Sequence, residues 1–145
     1  MDRILILVTA GLMVGLAVAG GQAMARRRFA HLTASGPSVL WRALGQRPDG
    51  RPTVVVFSTP SCGACKSAQR PAIAALEALS EGGIRVIPVD AARDRSIARA
   101  FGILTVPATV VLDAHGMVLA ANHGFAPLGR LAIQLGLAGE PVATA

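Results

Sequence analysis

The chain has 145 residues, 52% apolar and only 3% aromatic, with a mean hydropathy of +0.54; this is room for one compact domain plus an appendage, part of it in lipid. Its net charge of +6 falls to +3 without Arg26, Arg27 and Arg28, and with no tyrosine and no basic patch among aromatics the composition argues against a nucleic-acid partner. Two cysteines close together cannot staple a distant loop, which excludes a disulfide-framework protein.

Residues 4–25, "ILILVTAGLMVGLAVAGGQAMA", carry no charge and run into "RRR". As a helix this segment reaches about 33 Å, enough for a hydrocarbon core of about 30 Å. Residues 1–25 are therefore expected to form a single-pass anchor in the cell membrane. Gly11, Gly15, Gly20 and Gly21 are the kind of residue that spans tolerate. Gly11 and Gly15 form a GxxxG pattern, which can let two helices approach closely in a weak helix-mediated dimer, though small residues often fall at that spacing by chance. The alternative is a cleaved signal peptide, since "AMA" at 23–25 has the small-x-small form of a cleavage site. The arginines, however, follow the apolar run instead of preceding it, and by the positive-inside rule they place the rest of the chain in the cytoplasm. Arg3 and the terminal amine oppose that orientation weakly.

Residues 26–36 read as a basic juxtamembrane linker, 37–140 as the folded domain and 141–145 as a disordered tail. Within the domain, "SVLWRALG" at 38–45 spaces Val39, Leu40, Trp41 and Leu44 as a short helix ended by Gly45. "QRPDGRP" at 46–52 is turn chemistry. "TVVVFS" at 53–58 is a strand buried on both faces. A helix follows from Cys62, with Cys65, Ala68, Ala72, Ile73, Leu76 and Leu79 on its inner stripe, a kink at Pro71 and an end at Gly82-Gly83. "IRVIPVD" at 84–90 is a strand, and Pro88 assigns it to a sheet edge. Asp94 is the expected N-cap of "RSIARAF", which Gly102 closes. "ATVVLDAHGMVLAANHG" reads as a hairpin turning at 114–116, and 127–137 as a last helix with Pro127 in its first turn. The order β-α-β-α-β-β-α predicts an α/β fold: a four-stranded mixed sheet with helices on both faces.

Both cysteines lie in "STPSCGACKSAQ". Pro60 and Ser61 end a strand, and Cys62 stands where a helix begins. Unpaired N–H groups and the helix dipole favour a negative charge there. The Cys62 thiolate is expected to form below the usual pKa of about 8.5. Cys65, one turn on and on the apolar stripe, is shielded. Such a pair exchanges disulfides: the outer thiolate attacks and the inner thiol resolves the mixed disulfide. Other readings stay open. A structural zinc needs four ligands, and His31, His115 and His123 are scattered without ligand spacing, so neither a metal nor another cofactor is expected. A non-enzymatic adaptor or metal carrier at the membrane is the rival from a different class.

A CxxC opening a helix in a βαβ context resembles the thioredoxin family of thiol–disulfide oxidoreductases. The resemblance spans roughly 38–139 and rests on "CGAC" at 62–65, Pro71, and "FGILTVPATVVLDAHG" at 101–116. It implies a thioredoxin-like fold, a cis bond between Val106 and Pro107, and Val106 offering its backbone to a bound substrate. It also implies a substrate-contacting surface formed by Pro60, Ser61, Gly63, Ala64, Thr105, Val106 and Pro107. Protein disulfides or dithiols are the implied substrates, together with a separate redox partner. There are departures. Ser61 replaces the family's tryptophan, Gly63-Ala64 replaces Gly-Pro, and Val56 and Val86 stand where the family keeps an acid and its lysine. These departures point to a narrower, partner-specific role, while the direction of electron flow is not readable. "FSTPSCGACK" also resembles membrane-anchored thioredoxin-like maturation proteins that act outside the cytoplasm, against the arginine argument. "FAHLTA" at 29–34 is either the family's first strand or linker.

Overall fold

The structure, a computed structural model, describes residues 2–34 and 36–137; the tail expected at 141–145 lies outside them. The chain divides into two compact units, one up to His31 and one from Leu32 onward.

The first unit consists of helix α1, Asp2–Ala34, which continues to its end in the second. Every described side chain from residue 3 to residue 24 is exposed, including Ile4, Leu7, Leu12 and Leu16. A helix that is apolar all round and covered by nothing is suited to lipid. Its most apolar window has a mean hydropathy of 2.3, so α1 is long and apolar enough to cross a membrane, a test of length and composition that a signal sequence also passes. Residues 26–34, read from the sequence as linker or strand, are helical instead. Arg, Ala and Leu are good helix formers, and no breaker occurs before Gly36-Pro37.

In the second unit, Leu32 is buried in one core with Leu40 and Trp41. Helix α2, Pro37–Leu44, starts with Pro37, whose missing N–H costs nothing at that position. Gly45 closes it in the left-handed conformation. The strands are β1 (Thr53–Ser58), β2 (Arg85–Asp90), β3 (Ala108–Leu112) and β4 (Val118–His123), in spatial order β2-β1-β3-β4. β1 and β2 are parallel; β3 is antiparallel to both β1 and β4. The mixed sheet and the hairpin are as the sequence predicts, and Pro88 lies on an edge strand.

Because side chains alternate along a strand, the sheet presents two inner faces. Val55, Phe57, Ile87, Val89 and Val110 pack against α2 and α4 (Arg95–Ala100). Val54 and Val111 pack against α3 (Arg70–Ser80) and α5 (Leu128–Gln134). Asp94 occupies the N-cap of α4 but makes no capping bond. The carboxylate that turns the chain there is Asp90, whose Oδ1 accepts from the Ala92 and Arg93 amides. Pro127 precedes α5 in extended conformation, outside its first turn.

The helix after the cysteines departs most from expectation. Residues 65–69 form a π-helical segment before α3, and the Arg70 N–H reaches back to the Cys65 carbonyl. Pro71 has no N–H, and its ring would crowd the carbonyl four residues earlier; widening the preceding turn is one way a helix absorbs both. The inner stripe keeps helical spacing but takes Gln69 in place of Ala68. It runs Cys65, Gln69, Ile73, Leu76; Ala68 and Ala72 are only half-buried, and Leu79 is 53% exposed.

Candidate functional site

The parallel sheet delivers the cysteines. β1 ends at Ser58, and the chain turns through Thr59, Pro60 and Ser61, with the Cys62 N–H donating to the Thr59 carbonyl at 3.1 Å. The helix begins at Gly63. Cys62 is half-buried and Cys65 buried, and the two form a disulfide with Cα atoms 5.3 Å apart. The outer and inner positions inferred for the pair are those the structure shows. The Cys65 amide N–H donates to Cys62 Sγ at 3.1 Å. A backbone donor aimed at that sulfur, at the start of a helix, favours negative charge on it. The Ser67 hydroxyl ties the first turn together by donating to the Gly63 carbonyl.

Pro60, Ser61, Gly63 and Ala64 are all exposed around the disulfide. The second half of the expected surface comes from the strand next to β1. Phe57 pairs with Ala108, so Pro107, one step before Ala108, lies at the end of the sheet from which the chain leaves for Cys62. The Val106–Pro107 peptide is cis. Thr105 is exposed, Val106 half-buried and Pro107 buried, and the Pro107 carbonyl accepts from the Gly124 N–H at 2.9 Å.

Behind Cys65 lies a cavity of about 160 Å³ whose lining includes Val56, Val86, Ile73 and Pro88. Its lining holds no carboxylate. Lys66 and Arg70, both solvent-exposed, also border it. Among the described residues, no three His, Cys, Asp or Glu side chains gather as a metal site.

Gln69 is the residue that sequence reasoning passed over. It is 1% exposed. Its Nε2 donates to the Ala126 carbonyl at 3.1 Å, and its Oε1 accepts from the Ala126 N–H at 2.9 Å. Gln69 is one i+4 step from Cys65 and shares its face, whereas the stripe read from the sequence follows the apolar residues and so runs through Ala68 at i+3. The legible signal was a polar residue four positions after Cys65 and two before Pro71.

No curated protein sequence matches the chain. Solved structures do. Thioredoxin-2, a component of malaria parasite protein secretion machinery, is 23% identical with a TM-score of 0.55, covering 59% of this chain and 82% of that one. MTB DsbF, in its mixed oxidized and reduced forms, is 20% identical with a TM-score of 0.52, covering 61% and 82%. Fasciola hepatica thioredoxin is 22% identical with a TM-score of 0.52, covering 60% and 80%. At such identities the likeness is one of fold. The family model of the thioredoxin-like domain matches residues 46–138, which takes in the CxxC, the cis-proline and all four strands. The chain belongs to the thioredoxin-like family.

Proposed function

We propose that this protein is a membrane-tethered thiol–disulfide oxidoreductase acting on protein disulfides, with Cys62 as nucleophile and Cys65 as resolving thiol. The observation that carries this reading is the asymmetry of the pair: Cys62 is partly accessible and receives the Cys65 N–H, while Cys65 is buried. In the reductive direction the Cys62 thiolate attacks a target disulfide. A bond forms between Cys62 Sγ and one target sulfur, and the other target sulfur leaves as a thiolate. Cys65, once deprotonated, attacks Cys62 Sγ; the Cys62–Cys65 bond forms and the second target thiolate leaves. Two electrons pass from the dithiol to the target.

With Val56 and Val86 beside the cavity behind Cys65, the Cys65 proton passes to water. The surface of Pro60, Ser61, Gly63, Ala64, Thr105, Val106 and Pro107 is the proposed bed for the substrate segment. Val106 offers backbone groups there and leaves the side-chain chemistry to its neighbours.

The tether is α1, and Arg26 and Arg27 after the apolar run orient the domain towards the cytoplasm. Two experiments test the reading. In turnover of a protein disulfide, Cys62→Ser abolishes exchange and Cys65→Ser accumulates mixed disulfide; undiminished reduction by Cys62→Ser overturns the mechanism. For orientation, cells are treated with an impermeant reductant and then an impermeant maleimide. Labelling of Cys62 only after permeabilisation is the expected result, and labelling in intact cells places the domain outside.

A further inference from the structure

We propose that Gln69 is a positioning residue for the second half of the exchange: it holds the helix that carries Cys65 to the loop that follows the cis-proline hairpin. This rests on the reading of Cys62 as nucleophile and Cys65 as resolving thiol.

The connection is continuous on the structure. The Arg70 N–H binds the Cys65 carbonyl across the π segment. Gln69, inside that segment, makes a two-point pairing with the backbone of Ala126, 57 residues away in sequence. Ala126 is fully buried. Two residues before it, the Gly124 N–H binds the Pro107 carbonyl. One amide side chain thus links the resolving cysteine to the cis-proline strand.

The chemistry explains why such a link matters at one stage and not the other. In the oxidised protein the disulfide itself fixes Cys65 against Cys62. In the mixed disulfide that bond is gone, and the first turn, with the π segment anchored behind it, keeps Cys65 Sγ within reach of Cys62 Sγ. A buried amide is costly unless both its ends are paired. An apolar side chain would fill the space equally well but would fix neither distance nor angle. Gln69 therefore acts on resolution, while attack by Cys62 depends on the exposed first turn and the Cys65 N–H.

The test uses the full chain, reduced, in detergent, with dithiobis(nitrobenzoate) as the disulfide. The first thionitrobenzoate released reports attack by Cys62 and the second reports resolution by Cys65. Gln69→Met is expected to keep the first phase and slow the second at least about tenfold, since small misplacements of reacting atoms carry large rate costs. Gln69→Glu supplies a readout that simple structural support would not move. The ionised carboxylate cannot donate to the Ala126 carbonyl, whereas the protonated one can. Its second-phase rate, taken relative to wild type at each pH, is expected to recover as pH falls. Should Gln69→Met fail to fold, that pH-dependent ratio decides alone. Equal slowing of both phases, slowing of neither, or a ratio flat with pH overturns the proposal. Cys62→Ser checks the underlying reading separately. If it keeps the fast first phase, the nucleophile is misassigned and the role of Gln69 falls with it, whatever the Gln69 variants do.

Discussion

On one face of the sheet, Trp41, Phe57 and Phe101 sit among Leu40, Val89 and Val110, with the two phenyl rings 5.4 Å apart and tilted by 54°. On the other face the core is aliphatic, from Val54, Ile73, Leu76 and Leu131, and side-chain amides do part of the holding. Gln69 grips Ala126 there, and Asn122 and Gln134 exchange two hydrogen bonds of 2.9 Å while Asn122 also donates to Thr109. Cys65 and the cavity behind it belong to this second face, beside Val56 and Ile73. Large rings bury much area in few conformations and so provide stability. Paired buried amides add little net stability but define geometry. The faces thus differ in kind: both bury apolar cores, one with the large rings, the other with paired amides beside the cysteine cavity.

The largest expected effects test that difference directly. Cys65→Ser should end catalytic turnover completely, leaving a mixed disulfide that stable-isotope-free mass spectrometry of the intact chain detects as a covalent adduct. Its thermal unfolding under reducing conditions should match that of the reduced wild type. A large loss of stability there would place the cysteine in the holding layer and blur the contrast. Phe101→Ala is the counterpart on the aromatic face. Phe101 is fully buried, so its truncation should cost about 3–5 kcal/mol in denaturant unfolding. Single-turnover exchange by the molecules that stay folded should be unchanged.

A smaller effect is expected where the aromatic face meets the hairpin turn. Gly116 has φ of 86°, and a Cβ there would run into the indole nitrogen of Trp41, which donates to the Gly116 carbonyl at 3.3 Å. Both the left-handed backbone and the collision count against any side chain. Gly116→Ala should lose about 1–3 kcal/mol, with near-ultraviolet dichroism of Trp41, the chain's single tryptophan, reporting the displaced ring. An unchanged spectrum together with unchanged stability would mean that the turn relaxes freely.

The two faces were unequally legible in the sequence. The β-branched runs at 53–58 and 108–112, the breaker residues between elements and the CxxC were enough to place every strand and to set Cys62 outside Cys65. Pro88 identified the edge strand because a missing N–H is tolerated only where one side of the strand is unpaired. Where reading failed, polarity or a neighbouring signal outweighed position. Gln69 stands four residues after Cys65, on the same helical face, yet its amide kept it off the expected apolar stripe, while Leu79, apolar and three after Leu76, lies outside. The helix through residues 26–34 was missed because the arginines were read for charge and not for their helix propensity. Asp94 stands at the N-cap of α4 without a side-chain cap bond, and the carboxylate that binds amides in this turn is Asp90, on Ala92 and Arg93.

The smallest expected effect is a control outside both faces. Asp49 lies in the turn before β1, where the Arg51 guanidinium and backbone N–H hold its carboxyl below the usual carboxylate range, and the same pairing raises Arg51. A carboxyl with a depressed folded pKa contributes stability above its unfolded pKa and loses that contribution as pH falls through the folded value. Arg51 stays charged throughout that range, so only the Asp49 transition is visible. Both side chains are open to solvent, and such pairs contribute little. Asp49→Asn should therefore lower Tm by no more than about 1–2 °C at neutral pH, and the gap from wild type should close at a pH below the usual carboxylate range. A gap that widened on acidification would reverse the sign and show that the carboxylate is strained by its surroundings. Because Arg51 also reaches the Gly82 and Ile84 carbonyls ahead of β2, the turn keeps a second tie when the carboxylate is lost. Exchange at Cys62, at the opposite ends of β1 and β2, should not register the substitution at all.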